Sequence, residues 1–549
     1  MTQHLDITTT RSAVLDEAHV GDIQGALGTI GRHDIGPRIG WRPRLKTLAA
    51  IVGPGVIVMV GDNDAGAFGT YTQAGQNYGT ALLWTLVLLV PVLYVNQEMV
   101  LRLGAVTGVG HARLIFERFG KFWGAFSVID LFLLNALTIV TEFIGIALAL
   151  DYLGLPKIAG VAVSAVAVMA AAMTGAFRRF ERLALILVGG SLVLVPVLVM
   201  VHPPMGDIAR DLVTPQIPKD GNVADVLLLV IAIVGTTIAP WQLFFQQSYV
   251  IDKRITPRFI PYERIDLWIG IGLVLLGAVA MMAFSAQAFV GTAGFGKFTD
   301  AGGVAAGIEA YAGRLPGVLF AIGLIDASLI GAAAVSLSTA YALGDVLAVR
   351  HSLHRKVTDA KGFYAIYCAL IVVAAALVLT PGVPLGLLTN AVQTLAGVLL
   401  PSATVFLLLL CNDEAVLGPW SNSRGMNIFT GGVIWLLVMM SVILTSSVLF
   451  PEATTAAIIV RIVLGGAVVG IIAAVVMVMP RRGDVGTTRA KNASRYRIVR
   501  RQTWRMPPLD TLAPAKLTRA SRLWMLVLRG YLIVAGGLVL VRIVLLAWK

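Results

Sequence analysis

Long apolar runs separated by short polar loops occupy nearly the whole chain of 549 residues. A helix of about 20 apolar residues crosses the hydrocarbon core of a bilayer, which is roughly 30 Å thick. The runs are too long and too uniformly apolar for the alternating strands of a membrane barrel. The pattern therefore predicts an all-α polytopic membrane protein of about thirteen spans, at 46–78, 80–101, 124–150, 156–175, 183–201, 224–250, 265–290, 316–346, 362–380, 385–410, 428–450, 455–479 and 523–547.

Two of these runs are interrupted near their middle. Span 1 contains Asp62, Asn63 and Asp64 in a glycine-flanked stretch, and span 6 contains the segment 235–240, which ends in a proline. Broken helices at matching positions in two halves of a chain indicate a transporter's binding site near the midplane. A carboxylate at that depth is costly unless it is paired or hydrated. We therefore expect a cation between the breaks, with Asp64 as the principal charge, and it stays open whether Asp62 contacts the ion or only its water.

Basic side chains follow the even-numbered spans, in the loops 102–121, 178–182, 253–264 and 350–361. The loops 203–222 and 291–315 are nearly balanced in charge. The positive-inside rule then places the N-terminus in the cytoplasm and the C-terminus, after span 13, outside. Residues 1–44 are polar and lack the apolar core of a signal peptide. We expect a multi-pass protein of the cell inner (plasma) membrane whose residues 1–44 form a cytoplasmic tail.

Charge is scarce but unevenly placed. Charged residues make up 13% of the chain, against about 25% in soluble domains, yet the formal net charge is +13. Twelve Lys and Arg residues lie in 481–522, against two Asp residues. A basic segment beside membrane helices attracts anionic lipid headgroups or serves only as a topology signal. We expect anionic lipid and no nucleic acid as its partner. No enzyme motif is present, and no cofactor is expected.

Several short motifs follow one another in the transport region. They are Gly53-Pro54-Gly55, Asp64-Ala65-Gly66-Ala67, Gln73-Ala74-Gly75, Arg102-Leu103-Gly104 and Glu142-Phe143-Ile144-Gly145. Together with the broken span 6, they resemble the Nramp family of divalent-metal transporters. The resemblance implies a LeuT-like fold of two inverted five-helix repeats at 45–410. Two additional membrane helices at 411–480, a basic cytoplasmic linker at 481–522 and a thirteenth membrane helix at 523–549 would follow.

The resemblance also implies a metal site between the two breaks. The implied ligands are Asp64, the backbone carbonyl near Thr236, and Gln393 on span 10. The residues implied to line the site are Asp62, Asn63, Ala67 and Ala239. The residues implied for the pathway or for energy coupling are Glu142 and Trp241.

The chain departs from the family pattern in a consistent physical direction. Ala239 replaces a methionine and Ala67 an asparagine, while Trp241 replaces a histidine and Ile139 an acid. A thioether favours transition metals over hard ions, so its loss leaves a roomier site that suits Mg²⁺, which keeps several waters when bound. With the methionine missing, the chain resembles a branch of Nramp-related magnesium transporters, particularly in the segments 237–241 and 244–248. The missing titratable groups also remove most of the usual proton route.

These observations predict a transporter that takes up Mg²⁺, with Mn²⁺, as a partly hydrated ion and without proton coupling. The metal is then the transported substrate. A proton-coupled Mn²⁺ or Fe²⁺ transporter is the nearest alternative, and a membrane sensor that transports nothing is the alternative of another class. The oligomeric state stays open.

Overall fold

The computed structural model describes residues 13–218, 223–381, 392, 401–450, 453–478, 501–515 and 521–533. These residues form α-helices joined by short connections, with one small antiparallel hairpin in the described part of the chain. The predicted all-α architecture is confirmed. The hairpin is an addition that the hydrophobic pattern did not indicate.

Ten α-helices lie in the described residues 13–218. They are α1 (Trp41–Ile51), α2 (Pro54–Val60), α3 (Ala65–Tyr78), α4 (Trp84–Thr107), α5 (His111–Phe119), α6 (Lys121–Leu153), α7 (Lys157–Ala172), α8 (Phe177–Gly190), α9 (Leu194–Val201) and α10 (Met205–Val213). A 3₁₀ turn at Ser191–Val193 joins α8 and α9 into one apolar crossing, Phe177–Val201.

Further helices follow in the described residues from 223 onwards. They are α11 (Val223–Thr237), α12 (Pro240–Asp252), α13 (Ile260–Phe289), α14 (Ala301–Ala312), α15 (Arg314–Val346), α16 (Lys361–Leu379), α17 (Pro401–Cys411), α18 (Glu414–Leu417), α19 (Arg424–Leu449) and α20 (Ala456–Val478). Residues 521–533 are also helical.

Eight apolar helices in the described residues are long enough to cross a membrane. They correspond to predicted spans 2, 3, 5, 6, 7, 8, 9 and 11. Predicted spans 4 and 12 match the shorter apolar helices Lys157–Ala172 and Ala456–Ile472. Span 10 lies largely outside the described residues, and so does the second half of span 13. The total of thirteen spans therefore stays a prediction.

Span 1 is interrupted twice, whereas the sequence predicts one break. α1 and α2 meet at an angle of 52°. Gly53 between them has φ +157°, a conformation that side chains rarely adopt, and Pro54 occupies the first position of α2. Proline suits that position because its missing N–H has no helical partner there. The predicted break follows α2, at residues 61–64.

The two repeats pack against each other around the breaks. α6 of the first repeat lies along α15 of the second, and α13 covers both α2 and α3. α12 contacts α4 and α15. Both broken spans are therefore enclosed by helices of the opposite repeat, which holds them away from lipid.

Residues 13–31, which we call the strap, fold against one end of the bundle. The strap contains a 3₁₀ turn at Glu17–His19 and two strands, β1 (Ile23–Gly25) and β2 (Gly28–Ile30), which pair antiparallel. β1 and β2 pack on α1, and β1 also packs on α8. Part of the predicted polar tail is therefore folded structure.

The described part of the basic segment contacts protein. The Arg501 guanidinium lies 4.7 Å from the centre of the Trp420 ring, and its Nε donates to the Pro419 carbonyl at 2.9 Å. The Met506 N–H donates to the Val106 carbonyl at 3.3 Å. The segment 481–500 lies outside the described residues, so lipid binding there stays a prediction.

Candidate functional site

Asp64 begins the second half of broken span 1. It is 5% exposed and caps α3, where its Oδ1 accepts the Ala67 N–H at 2.8 Å. A helix N-terminus carries unsatisfied N–H groups and a partial positive charge, which hold a carboxylate in place. The predicted site residues Asp64 and Ala67 are therefore in direct contact. Ala67 contributes its backbone, while its methyl side chain adds no polar ligand.

Glu142 on α6 lies beside Asp64. Its Oε2 accepts the N–H of Ala65 at 3.2 Å, and the two carboxyl groups interact with each other. Glu142 is fully buried, and its Oε1 has no hydrogen-bond partner among the described residues. When both of these buried carboxyl groups are ionised, their negative charges repel each other. A cation placed between them relieves this repulsion, so the pair attracts one.

The break in span 6 lies between α11 and α12. α11 ends at Thr237, and Ala239 precedes α12 with extended backbone angles, φ −96° and ψ 144°. Thr236 is buried in the last turn of α11, where carbonyl groups lack helical partners. The side chain of Ala239 is 9% exposed and offers only a methyl group. The break therefore presents carbonyl oxygens and no soft ligand.

The two breaks are joined directly by side chains. The hydroxyl of Tyr71 on α3 lies 2.7 Å from Thr237 Oγ1 on α11. The Gln242 amide on α12 donates to Asp62 Oδ1, and its Oε1 accepts from Gln97 Nε2 on α4 at 2.9 Å. Asp62 therefore faces span 6, while Asp64 faces span 3.

Gln242 and Gln97 are functional candidates that the sequence reasoning missed. Both are fully buried. A buried amide in an otherwise apolar helix needs partners, and that signal was present beside the break, directly after Trp241. What the sequence could not show is that α4 and α12 bring these two amides together.

Asn63 and Trp241 lie next to the carboxylates but make other contacts. Asn63 Nδ2 donates to the Val274 carbonyl on α13 at 3.1 Å, so its donor atom is used outside the break. Trp241 is buried, its ring lies against Gly61, and its carbonyl accepts from Ser338 Oγ at 2.9 Å. A large aromatic ring thus fills the position after Pro240.

The predicted ligand Gln393 lies outside the described residues, so its position stays a prediction. The structure brings the other predicted residues to the two breaks. Among the described residues, none of the carboxylates Asp62, Asp64 and Glu142 forms an ion pair with Lys, Arg or His. In the same part of the chain, no three His, Cys, Asp or Glu side chains form a metal cluster.

A cleft leads away from Asp64 along α3. It lies between α3, α6 and the loop before α14. Polar side chains line part of it, among them Thr70, Gln73, Thr141 and Asp300. Ala65, the neighbour of Asp64, lines the cleft, and so do residues 298–301 of the loop that the charge pattern predicts to be outside.

Glu98 and Arg102 form a structural pair. Arg102 lies 3.2 Å from Glu98 on the same helix, and Arg264 lies 2.6 Å from the other oxygen of Glu98. Both members of the helical pair are buried. The negative charge of Glu98 is balanced by Arg102 and Arg264 without any bound metal ion. In this respect Glu98 differs from the carboxylates at the breaks.

The amino-acid sequence of the chain is similar to those of known transporters. The chain is 28% identical over 426 residues to the divalent metal cation transporter MntH of Burkholderia ambifaria, covering 74% of this chain and 90% of that protein. It is 29% identical over 412 residues to the protein of the same name from Ralstonia nicotianae, covering 72% of this chain and 89% of that one.

Solved structures show the same fold. A crystal structure of the Eremococcus coleocola manganese transporter, in complex with an aromatic bis-isothiourea substituted compound, superposes with a TM-score of 0.62 at 20% identity. It covers 80% of this chain and 95% of that one. The LeuT-like architecture of the sequence analysis is confirmed. Residues 55–447 match the family described as natural resistance-associated macrophage protein-like, and the chain therefore belongs to the Nramp family.

Proposed function

We propose that this protein transports divalent metal cations across the membrane, with Mg²⁺ as its main substrate and Mn²⁺ as a second one. The ion binds partly hydrated between the two breaks, and no proton moves with it. The observation that carries the proposal is the buried Asp64–Glu142 pair at the break in span 1, together with Ala239 at the break in span 6. The relatives named as divalent metal cation transporters support the substrate class.

The ligand chemistry favours a hydrated hard ion. Mg²⁺ is usually held by one or two carboxylates while several waters remain bound. Asp64 and Glu142 supply two carboxylates, and the carbonyl near Thr236 supplies an oxygen. The breaks themselves, residues 61–64 and 238–239, contain no Met, His or Cys that could serve as a soft ligand. Waters can occupy the space that a longer side chain than Ala239 would fill.

The residues around Glu142 support transport without proton coupling. Ile139, one turn before Glu142 on α6, is buried and cannot accept a proton, and Trp241 replaces the histidine of the family pattern. Among the described residues, the ion pairs Lys253–Glu181 and Arg264–Glu98 do not include Glu142. Glu142 then acts through its charge on the ion.

Uptake into proteoliposomes under an inside-negative potential tests the proposal. We expect Mg²⁺ uptake by the wild type and its loss in Asp64→Ala, because the principal charge at the break disappears. Asp326→Ala is the matched control, since Asp326 is also a carboxylate within a span but faces α8 at Gly190. Mn²⁺ uptake and internal pH are measured in parallel.

Three outcomes separate the alternatives. Mn²⁺ uptake without Mg²⁺ uptake would show that the missing methionine does not set selectivity. Internal acidification in strict proportion to metal uptake would indicate a proton-coupled transporter. Folded protein without uptake of either ion would favour a membrane sensor.

A further inference from the structure

The strap crosses the end of the bundle opposite to the cleft. The basic loops that follow spans 4, 6 and 8 converge on it, and the charge pattern predicts that these loops are cytoplasmic. The strap is part of the chain before span 1, and no part of the ion site proposed above. Its contacts reach both five-helix repeats.

Contacts with the first repeat hold the hairpin turn. Arg178 Nε donates to the Gly25 carbonyl at 2.9 Å, and Arg182 Nε donates to the Ala26 carbonyl at 3.1 Å. The Ala26 N–H donates to Glu181 Oε2 at 2.6 Å. All three side chains lie in the first two turns of α8, so the start of this helix holds the hairpin turn.

Contacts with the second repeat hold the segment before the hairpin. Arg254, directly after α12, donates to the carbonyls of Ala18 at 2.9 Å and Asp22 at 3.0 Å. In the loop after α15, Arg355 Nε donates to Asp16 Oδ2 at 2.9 Å, and the His351 N–H donates to the same oxygen at 3.0 Å.

A buried charge pair lies directly beneath the strap. Lys253 Nζ, after α12, lies 2.7 Å from Glu181 Oε1 on α8, and both side chains are fully buried. Lys253 also donates to the carbonyls of Ile51 at 2.6 Å and Val52 at 2.9 Å. Glu181 therefore contacts the strap with one oxygen and the second repeat with the other.

The same region holds the start of α2. Asp266 on α13 accepts the N–H groups of Gly53 at 3.1 Å and Gly55 at 2.6 Å. α2 is the half-helix that ends at the ion site, so its position controls that side of the site. Alternating access requires one repeat to move against the other, and these contacts oppose such movement at the end that bears the strap.

We propose that the strap is a cytoplasmic latch that ties the two repeats together and must detach before the ion can leave towards the cytoplasm. The proposal rests on the transport function proposed above. Detachment breaks the contacts of Arg254 and Arg355 with the strap and frees one oxygen of Glu181. α2 and the Lys253–Glu181 pair can then separate.

Cysteine labelling tests the latch without any transported ion. In a Cys368→Ala, Cys411→Ala background, Val56→Cys places a thiol in α2, which packs against α8, α12 and α13. A membrane-impermeant maleimide is applied from the cytoplasmic side. We expect deletion of residues 1–31 to raise the labelling rate about tenfold or more, a population shift of ordinary size for a two-state equilibrium. Deletion of residues 1–12 should leave the rate unchanged.

If the deletion variant does not fold, point variants test the same proposal. Arg254→Gln with Arg355→Gln removes strap contacts and leaves the Lys253–Glu181 pair intact, whereas Arg350→Gln removes a charge from an exposed position in the same loop. Faster labelling in the double variant alone supports the latch. Equal labelling in the double variant and Arg350→Gln, with both proteins folded, overturns it. Faster labelling in a protein that takes up no metal would support the latch and contradict the proposed function.

Discussion

The three buried carboxylates around the breaks are held by different partners. Asp64 accepts the Ala67 N–H, Glu142 accepts the Ala65 N–H, and Asp62 accepts from the Gln242 amide. Each retains acceptor capacity, since an ionised carboxylate has about four lone-pair sites. Asp64 and Glu142 face each other, which makes their shared space the position where a cation relieves the most repulsion.

Ala239→Met should shift selectivity towards Mn²⁺. The new thioether would lie at the break in span 6, where it replaces water around Mg²⁺ with a soft ligand that Mg²⁺ binds poorly. We expect the ratio of Mn²⁺ to Mg²⁺ uptake to rise about tenfold, equivalent to about 1.4 kcal/mol. Competition uptake in proteoliposomes measures the ratio.

Ala239→Leu separates softness from size in the same assay. Leucine has nearly the volume of methionine but no sulfur. If both variants change the ratio equally, bulk at this position sets selectivity and the ligand argument is wrong.

Two histidines give strap docking a pH optimum. Burial opposes protonation of His351, but Asp345, 2.9 Å from its Nε2, together with the Val349 carbonyl and Asp16, raises its pKa to about 9. Of these groups only Asp16 belongs to the strap, so charged His351 favours docking through Asp16, and this contribution is lost as the pH rises through 9.

His19 acts in the opposite direction. Burial lowers its pKa below the usual 6.5, and the nearby His351 lowers it further, although Asp252, Asp16 and Asp345 oppose the shift. The docked strap keeps His19 neutral, so docking weakens below pH 6.5, where a released His19 takes up a proton. Docking should be strongest near neutral pH.

Labelling of Ile30→Cys, a buried strap position, measures this optimum in the background without other cysteines. The rate should be lowest near pH 7 after correction for thiolate reactivity. His351→Gln should remove the alkaline rise, and His19→Gln the acidic one. A flat wild-type profile would contradict the assignment of both groups.

Close helix contacts depend on particular glycines. α6 approaches α3 and α15 at Gly145, where an added Cβ would lie 2.6 Å from Ala65 Cβ and 2.7 Å from Ser328 Oγ. Ala65 is the first residue of α3 and donates its N–H to Glu142. The spacing of α3 and α6 therefore sets the distance between the two carboxylates.

Gly145→Ala should lower both stability and uptake. Overpacking of this kind costs roughly 1–3 kcal/mol, and it would push the start of α3 away from α6. We expect a lower melting temperature in detergent together with a higher apparent KM for Mg²⁺. Gly189→Ala on α8, where an added Cβ meets open space, should change neither. Equal effects of both substitutions would show that the α3–α6 approach is not specific.

The whole molecule presents a cleft at one end and a latched surface at the other. The cleft lies on the side that the charge pattern predicts to be outside, and the strap covers the opposite end. For the site to open towards the cytoplasm, one repeat must move against the other, while the carboxylates remain near the midplane of the membrane. The direction of net flow is then set by the forces on the ion.

Membrane potential alone should drive accumulation. A divalent ion gains about 4.6 kcal/mol per 100 mV, twice the value for a single charge, which corresponds to a concentration ratio of roughly 2,000 at equilibrium. Proteoliposomes with potassium gradients and valinomycin should accumulate Mg²⁺ in proportion to the imposed potential. A pH gradient without a potential should produce none, and accumulation under that condition would indicate proton coupling.

Periodicity and composition were sufficient to establish the membrane helices, the two central breaks and the carboxylates within them. The reason is physical: lipid requires every backbone group to be satisfied within a helix, so apolar length and its interruptions are visible directly in the residues. Asp64 could be selected because buried charge in a span is costly and rare, whereas Glu142 was selected through the resemblance to the Nramp family.

The partners of these residues required the folded arrangement. Gln242 and Gln97 are 145 residues apart, and Lys253 and Glu181 are 72 apart, so no local pattern links them. The strap was predicted as a polar tail because Arg178, Arg182 and Arg254 bind its backbone carbonyls, which every residue carries and no sequence pattern distinguishes. Its place on the bundle is determined by arginines on distant loops, which meet only when the two repeats pack together.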